Sequence, residues 1–267
     1  MGIAVGLNLD PDPDVAEAIV VSVLVDVDGV HQRLIVDTGG AQSALAAGEL
    51  SRKLQSTPAR SDAGRGVFGG NRRPDRVVAE MMAIGGLRIA RPRFDVEALP
   101  GAPSLLGLDV LGEHRLDFLF SAAVLEFDGE GVVDHRRDLV QSSRRHPYVT
   151  ANWGDIAANA IWDSGASISI VDRAFARRHS GLFRPEGNSS GIDASGVESN
   201  IEMVRMAGLT VGGRTFTPTI AGIADIAGIE HAGDPPFDLI LGMPVLRQAD
   251  WALDLADGWW GYRDQTR

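Results

Sequence analysis

The chain has no cysteine among its 267 residues, so disulfide bonds and thiolate chemistry are excluded while the redox compartment stays open. Lysine is almost missing. Of 25 basic residues only Lys53 is a lysine, a bias of genomic composition rather than of mechanism. Although 44% of the residues are apolar, no run approaches the roughly 18 to 20 consecutive apolar residues of a membrane span, and the chain reads as soluble. Met1 to Leu9 carry neither the basic stretch nor the apolar stretch of a secretion signal, which makes a cytoplasmic location the default; a signal removed earlier would leave no trace. A formal net charge of −11 repels the phosphates of nucleic acid over most of the surface. The histidines, His31, His114, His135, His146, His179 and His231, show no metal-ligand spacing and are expected to be solvated. No metal and no cofactor is called for.

What is present is an internal repeat. Ile19 to Asp26 and Gln32 to Val36 are β-branched, apolar runs around Val27-Asp28-Gly29, which predicts a hairpin. Tyr148 to Trp153 and Ala157 to Trp162 do the same around Gly154-Asp155. Each hairpin leads into an acid-hydroxyl-glycine triplet, Asp37-Thr38-Gly39 and Asp163-Ser164-Gly165, at an offset of 126 residues. Further landmarks recur in order: a helix-like segment (Ala44 to Leu54; Val171 to His179, with Asp172 as cap), a Gly-rich stretch (Gly64 to Asn71; Gly191 to Gly196), and an apolar pair with glycine (Leu105-Leu106-Gly107; Ile240-Leu241-Gly242). At this length the chain can form two lobes of about 130 residues each, and residues 1–136 and 137–267 are the expected division. Gly129 to Pro147, charged and without periodicity, is the expected crossing between them, and residues 1–14 a loose leader or outer strand. The alternating aspartates Asp10, Asp12 and Asp14 are interrupted by Pro11 and Pro13, which contradicts a calcium loop.

On these two triplets and the two apolar-apolar-glycine segments the chain resembles the aspartic proteases of the pepsin and retropepsin superfamily, over nearly all of residues 19 to 262. The lobe length and the Leu-Gly-x-x-Val-Leu continuation look most like bacterial retropepsin-like proteins, here in tandem. The resemblance implies an all-β, bilobal acid protease fold, two pseudo-twofold-related barrel-like lobes with short helices. It implies Asp37 and Asp163 as catalytic residues, with Thr38, Gly39, Ser164 and Gly165 supporting them, the two hydroxyls cross-bracing the loops. It implies a peptide or protein substrate. Since one chain carries both acids, a monomer suffices.

The chemistry fits the residue types. Two carboxylates that share one proton give a base to activate water and an acid to protonate the carbonyl oxygen and the departing amine; like charges in contact cannot both ionise cheaply. Glycine after each hydroxyl residue lets the backbones approach. Gly40 and Ala166 follow the glycines and offer no side-chain donor, which predicts an activity profile displaced toward weakly acidic or neutral pH relative to gastric-type members. Val67, Phe68, Gly69 and Gly70 form the expected flap over substrate, and Ile192 to Gly196 is either a second flap or a surface loop. Gly64 to Gly69 also matches a dinucleotide-binding pattern, but neither a strand before nor a helix after supports it. Trp251, Trp259 and Trp260 are expected in the core or between lobes, and Trp162 beside the acids. Three functions follow: a general aspartic endopeptidase, a catalytically weak peptide-binding scaffold, or a processing enzyme specific to one partner.

Overall fold

Both expected hairpins form. In the first, Ile19–Val27 pairs antiparallel with Val30–Val36, and its two turn residues, Asp28 (φ 51°) and Gly29 (φ 82°), are both left-handed, as a two-residue turn that matches strand twist requires. In the second, Pro147–Trp153 pairs with Ile156–Trp162 across a left-handed Gly154 (φ 62°). The computed structural model describes residues 2–58, 64–66, 69–72, 74–97, 102–192, 198–229 and 233–263.

Each hairpin lies inside a ten-stranded sheet, nine strands of which follow one another while the tenth pairs off that path with the hairpin's first strand, and the two sheets have the same plan. The first runs Leu87–Ala90, Met81–Ile84, Ile19–Val27, Val30–Val36, Leu105–Leu106, Ala44–Ala46, Arg93–Glu97, Arg76–Val78, Gln55–Thr57. The second runs Arg214–Phe216, Leu209–Val211, Pro147–Trp153, Ile156–Trp162, Leu239–Leu241, Ser169–Asp172, Thr219–Ala224, Glu198–Met206, Phe183–Ile192. Strand directions agree position by position. The strand that ends at the triplet is parallel to the apolar pair in both halves, and the short strand after the triplet is antiparallel to that pair and parallel to the next. The fold is therefore mostly β, with two large sheets and, among the described residues, four short α-helices, Glu49–Lys53, Leu108–Leu111, Arg173–Arg178 and Met243–Leu246.

A six-stranded sheet joins the halves. Three strands come from each, with Arg115–Leu119 and Trp251–Asp254 paired at its centre. Its second-half strands hold Trp251, Trp259 and Trp260, all buried, so the tryptophans pack as core. Among the described residues no helix is long and apolar enough to cross a membrane.

The structure corrects three local expectations. Gly129 to Pro147 is not merely a crossing: it contains Val133–Asp138 and Val140–Gln141, which occupy the places that Ile3–Gly6 and Asn8–Pro11 hold in the first half. Val133–Asp138 is an edge strand with a bulge between Asp134 and Arg137, and polar residues on an open edge hide a strand's alternation. It also runs through the expected division at 136/137. Ala44 to Leu54 is helical only over Glu49–Lys53, because Ala44–Ala46 is drawn into the sheet by pairing on both sides. The helices Leu108–Leu111 and Met243–Leu246 are too short to show a period in sequence. Finally, His114 is only 19% exposed and its Nδ1 lies 2.8 Å from Asp128 Oδ2, so it is a packed residue rather than a solvated one.

The segments that enter the two hairpins cross between halves. Glu17, two residues before Ile19, has φ 71°, and Arg145, two residues before Pro147, has φ 70°. Glu17 accepts the Ile220 N–H at 3.2 Å and pairs with Arg205, which Glu186 also binds. Arg145 pairs with Glu113 at 2.5 Å and donates to the Gly112 carbonyl. Each half thus places a charged side chain on the other, with opposite signs. Replacing Glu17 with Ala leaves the Ile220 N–H and part of Arg205 unsatisfied, and urea unfolding is expected to show a loss of roughly 1–3 kcal/mol; a change under about 0.5 kcal/mol, the size usual for a neutral surface site, would contradict this role.

Candidate active site

Asp37 follows directly on the strand Val30–Val36 and Asp163 on Ile156–Trp162. Their backbones are held from below by the apolar pairs: the Asp37 N–H donates to the Leu106 carbonyl at 2.9 Å and the Asp163 N–H to the Leu241 carbonyl at 3.1 Å. The glycine after each pair has no room for a side chain. A β-carbon at Gly107 would lie 2.5 Å from the Gln42 carbonyl carbon, and one at Gly242 2.5 Å from that of Ile168. This close approach lets Leu108 N–H reach Gly40 O at 2.8 Å and Met243 N–H reach Ala166 O at 2.9 Å, which fixes both ends of each loop.

The hydroxyl residues tie the two loops to each other. Thr38 Oγ1 donates to the Trp162 carbonyl at 2.9 Å and accepts the Ser164 N–H at 3.0 Å. Ser164 Oγ donates to the Val36 carbonyl at 2.7 Å and accepts the Thr38 N–H at 3.3 Å. Both side chains are fully buried, so these four bonds satisfy groups that could find no water. Serine in place of threonine preserves the pattern.

This bracing brings the acids together. The Gly39 N–H donates to Asp37 Oδ1 at 2.9 Å and to Asp163 Oδ1 at 3.1 Å, so one hydrogen-bond donor touches both carboxyls. The two carboxyls also hydrogen-bond each other. Asp163 Oδ1 takes a second bond from the Gly165 N–H at 2.8 Å. A β-carbon at Gly165 would sit 2.5 Å from Asp37 Oδ1, and one at Gly39 would press on the Asp163 carboxyl in the same way. Gly40 has a similar constraint: a β-carbon there would be 2.5 Å from Asp37 Oδ2. In place of side-chain hydroxyls, the Gly40 and Ala166 N–H groups bond the acids.

Electrostatics follow from the geometry. Asp37 is 5% exposed, and burial, followed by the charge of Asp163, raises its pKa well above the usual 3.8. Asp163, partly open to solvent, is also raised by desolvation, but the Gly165, Gly39 and Ala166 N–H groups and the Asp37 hydrogen bond oppose that rise. Both carboxyls are thus pushed above the ordinary range, and the pair holds one proton in common.

Trp162 is buried against Phe118 and Trp251, with ring centroids 4.9 and 5.7 Å away, so it packs beneath the second loop and its carbonyl, not its ring, serves the site. Of the expected flap, Gly69 and Gly70 belong to the strand Gly69–Arg72, paired with Gly64–Gly66 in a two-stranded sheet, while Val67 and Phe68 lie outside the described residues. In the second half, Phe183–Ile192 and Glu198–Met206 form a long hairpin whose residues 193–197 lie outside the described residues. The sequence reading missed Ser43 and Ser169, each six residues past its aspartate. Their hydroxyls accept the Gly107 and Gly242 N–H groups, both at 3.0 Å; the recurring Asp-x-Gly-x-x-x-Ser spacing was the available signal. Among the described residues no cluster of three or more His, Asp or Glu is placed to hold a metal ion. Among the described residues, cavities of about 340 and 310 Å³ lie away from Asp37 and Asp163.

The chain is similar to known proteins in part of its sequence and in its fold. Residues 149–245 match the aspartyl protease family model. Among solved structures, the aspartic proteinase from Irpex lacteus superposes with a TM-score of 0.59 at 15% identity, covering 100% of this chain and 98% of that one. No curated protein matches the chain in sequence. The fold is that of an aspartic proteinase, and residues 149–245 are similar in sequence to the aspartyl protease family.

A raised folded-state pKa means that the native protein binds the proton more tightly than the unfolded chain. Stability from this pair is thus fully present below the unfolded value and is lost as pH rises through the folded one. Asp37→Asn removes that loss. Its unfolding free energy relative to wild type is expected to increase between about pH 4 and pH 7, measured by denaturant titration at both; a difference independent of pH would contradict the raised pKa.

Proposed function

We propose that the protein is an aspartic endopeptidase that hydrolyses peptide bonds with a water activated between Asp37 and Asp163. The observation that carries the reading is the single Gly39 N–H bonded to both carboxyls, since two acids so close hold one proton between them over a wide pH range. Ionised Asp163 takes a proton from water as the water oxygen attacks the scissile carbonyl carbon. Asp37 gives its proton to the carbonyl oxygen, and a tetrahedral diol results. In the second step a diol hydroxyl returns its proton to one carboxylate, the other carboxyl protonates the amine, and the C–N bond breaks. The pair ends with one proton, as it began.

Extended peptide suits such a site, because sheet edges and loop backbones offer β-type hydrogen bonds along a groove. The hairpin tip around Val67, Phe68, Gly69 and Gly70 is the proposed cover. One chain supplies both acids, so the active species is a monomer, with lobes that correspond to the two halves of the repeat. A narrow processing role, for one cellular protein, uses the same chemistry.

Asp37→Asn and Asp163→Asn are each expected to lower kcat by about 10²- to 10⁴-fold or more, since each removes a proton-transfer partner. The assay is cleavage of a mixed peptide library by purified protein, with mass-spectrometric detection and a statine-type inhibitor as control. Tight inhibitor binding without any turnover would favour the peptide-binding scaffold. With no hydroxyl at positions 40 and 166, the rate is expected to peak in the weakly acidic to neutral range; a maximum below about pH 3, near the lower macroscopic constant of gastric-type dyads, would contradict that.

A further inference from the structure

Behind Asp37 lies another half-buried acid, Asp109, that the proposed reaction does not use. It is the second residue of the helix Leu108–Leu111. Its Oδ1 accepts both the backbone N–H and the hydroxyl of Ser43, at 2.8 and 2.7 Å. With its proton directed to Asp109, the Ser43 oxygen presents a lone pair to the Gly107 N–H at 3.0 Å. That N–H belongs to the same peptide unit as the Leu106 carbonyl, which accepts the Asp37 N–H at 2.9 Å. One unbroken chain of hydrogen bonds therefore runs from Asp109 through Ser43 and the 106–107 peptide to the backbone of Asp37. Such chains polarise and rigidify their members.

The second half lacks its origin. Ser169 accepts the Gly242 N–H at 3.0 Å and Leu241 accepts the Asp163 N–H at 3.1 Å, but the residue at the helix position of Asp109 is Pro244, which has no acceptor side chain. The two halves match in strand order and direction, so a carboxyl on one side only is not required by the fold.

We propose that Asp109 is a positioning residue for the first aspartate: it fixes the Ser43 hydroxyl so that the 106–107 peptide, and with it the Asp37 backbone, keeps one orientation. The catalytic consequence rests on the role proposed for Asp37; the positioning does not. The function resides in an acceptor oxygen rather than in a charge. Asp109 shares a cavity of about 310 Å³ with Gln42, Arg76, Arg91 and Arg93, and Arg76 is already bound to Asp95 at 3.1 Å and Gln42 at 3.2 Å. These neighbours leave the Ser43 bonds as the specific contacts of Oδ1.

The test compares Asp109→Ala with Asp109→Asn in the full chain, since the amide oxygen of Asn can accept both Ser43 bonds. Hydrogen exchange at the Asp37 and Gly107 amides is expected to be about tenfold faster or more in Asp109→Ala and near wild type in Asp109→Asn, the size that loss of one such bond produces. On a cleaved peptide, kcat of Asp109→Ala is expected to fall about tenfold with KM within about twofold, and Asp109→Asn to recover to within about threefold. Exchange needs no turnover, so a wild-type protein that cleaves nothing removes the peptidase reading while the positioning remains measurable. Wild-type exchange at both amides in Asp109→Ala, or an Asp109→Asn variant as impaired as the alanine, would overturn the proposal. Should Asp109→Ala fail to fold, Ser43→Ala interrupts the same chain, and unchanged exchange at Gly107 in that variant overturns it equally.

Discussion

Two acids held within reach of one backbone N–H are the constraint around which the protein is built. Bringing carboxyls together in a buried place is unfavourable twice over, through desolvation and through repulsion, and the surroundings answer both. One proton removes the repulsion. The Gly39, Gly40, Gly165 and Ala166 N–H groups supply the hydrogen bonds that water would otherwise give. Glycine at 39 and 165 is dictated by the opposing carboxyl, which occupies the space of a β-carbon. The buried hydroxyls of Thr38 and Ser164 then prevent the loops from relaxing apart.

A repeated architecture is an economical way to meet that constraint, since a pseudo-twofold axis presents each half's acid to the other. The match between halves extends further than the triplets: same strand order and same strand directions. Where the halves differ, the difference is local and chemical. Trp162 fills the interior beneath the second loop where Val36 serves the first. Asp109 faces Ser43 where Pro244 stands beside Ser169. These substitutions give the two acids different surroundings, while burial raises the pKa of both.

Much of this was legible in the sequence, and the reason is that its signals were doubled. Either triplet alone could be a turn or a cap; two at one offset, each after a hairpin and before an apolar pair with glycine, define the sheet that carries them. Asp172 was readable as a cap and does accept the Ala174 and Phe175 N–H groups. What the sequence concealed has physical causes. The edge strand Val133–Asp138 buries too little to alternate. Ala44–Ala46 has helix-forming residues overridden by sheet pairing on both flanks. Ser43 and Ser169 act through main-chain bonds, which leave no compositional trace beyond their spacing.

The most direct test of the central claim is a carbon-13 NMR titration of the two side-chain carboxyls, with Asp37 and Asp163 assigned by substitution. Shared-proton chemistry requires two well-separated, mutually dependent steps, with one carboxyl still protonated far above the ordinary aspartate value near 3.8. Two independent, superimposed titrations near that value would contradict the account.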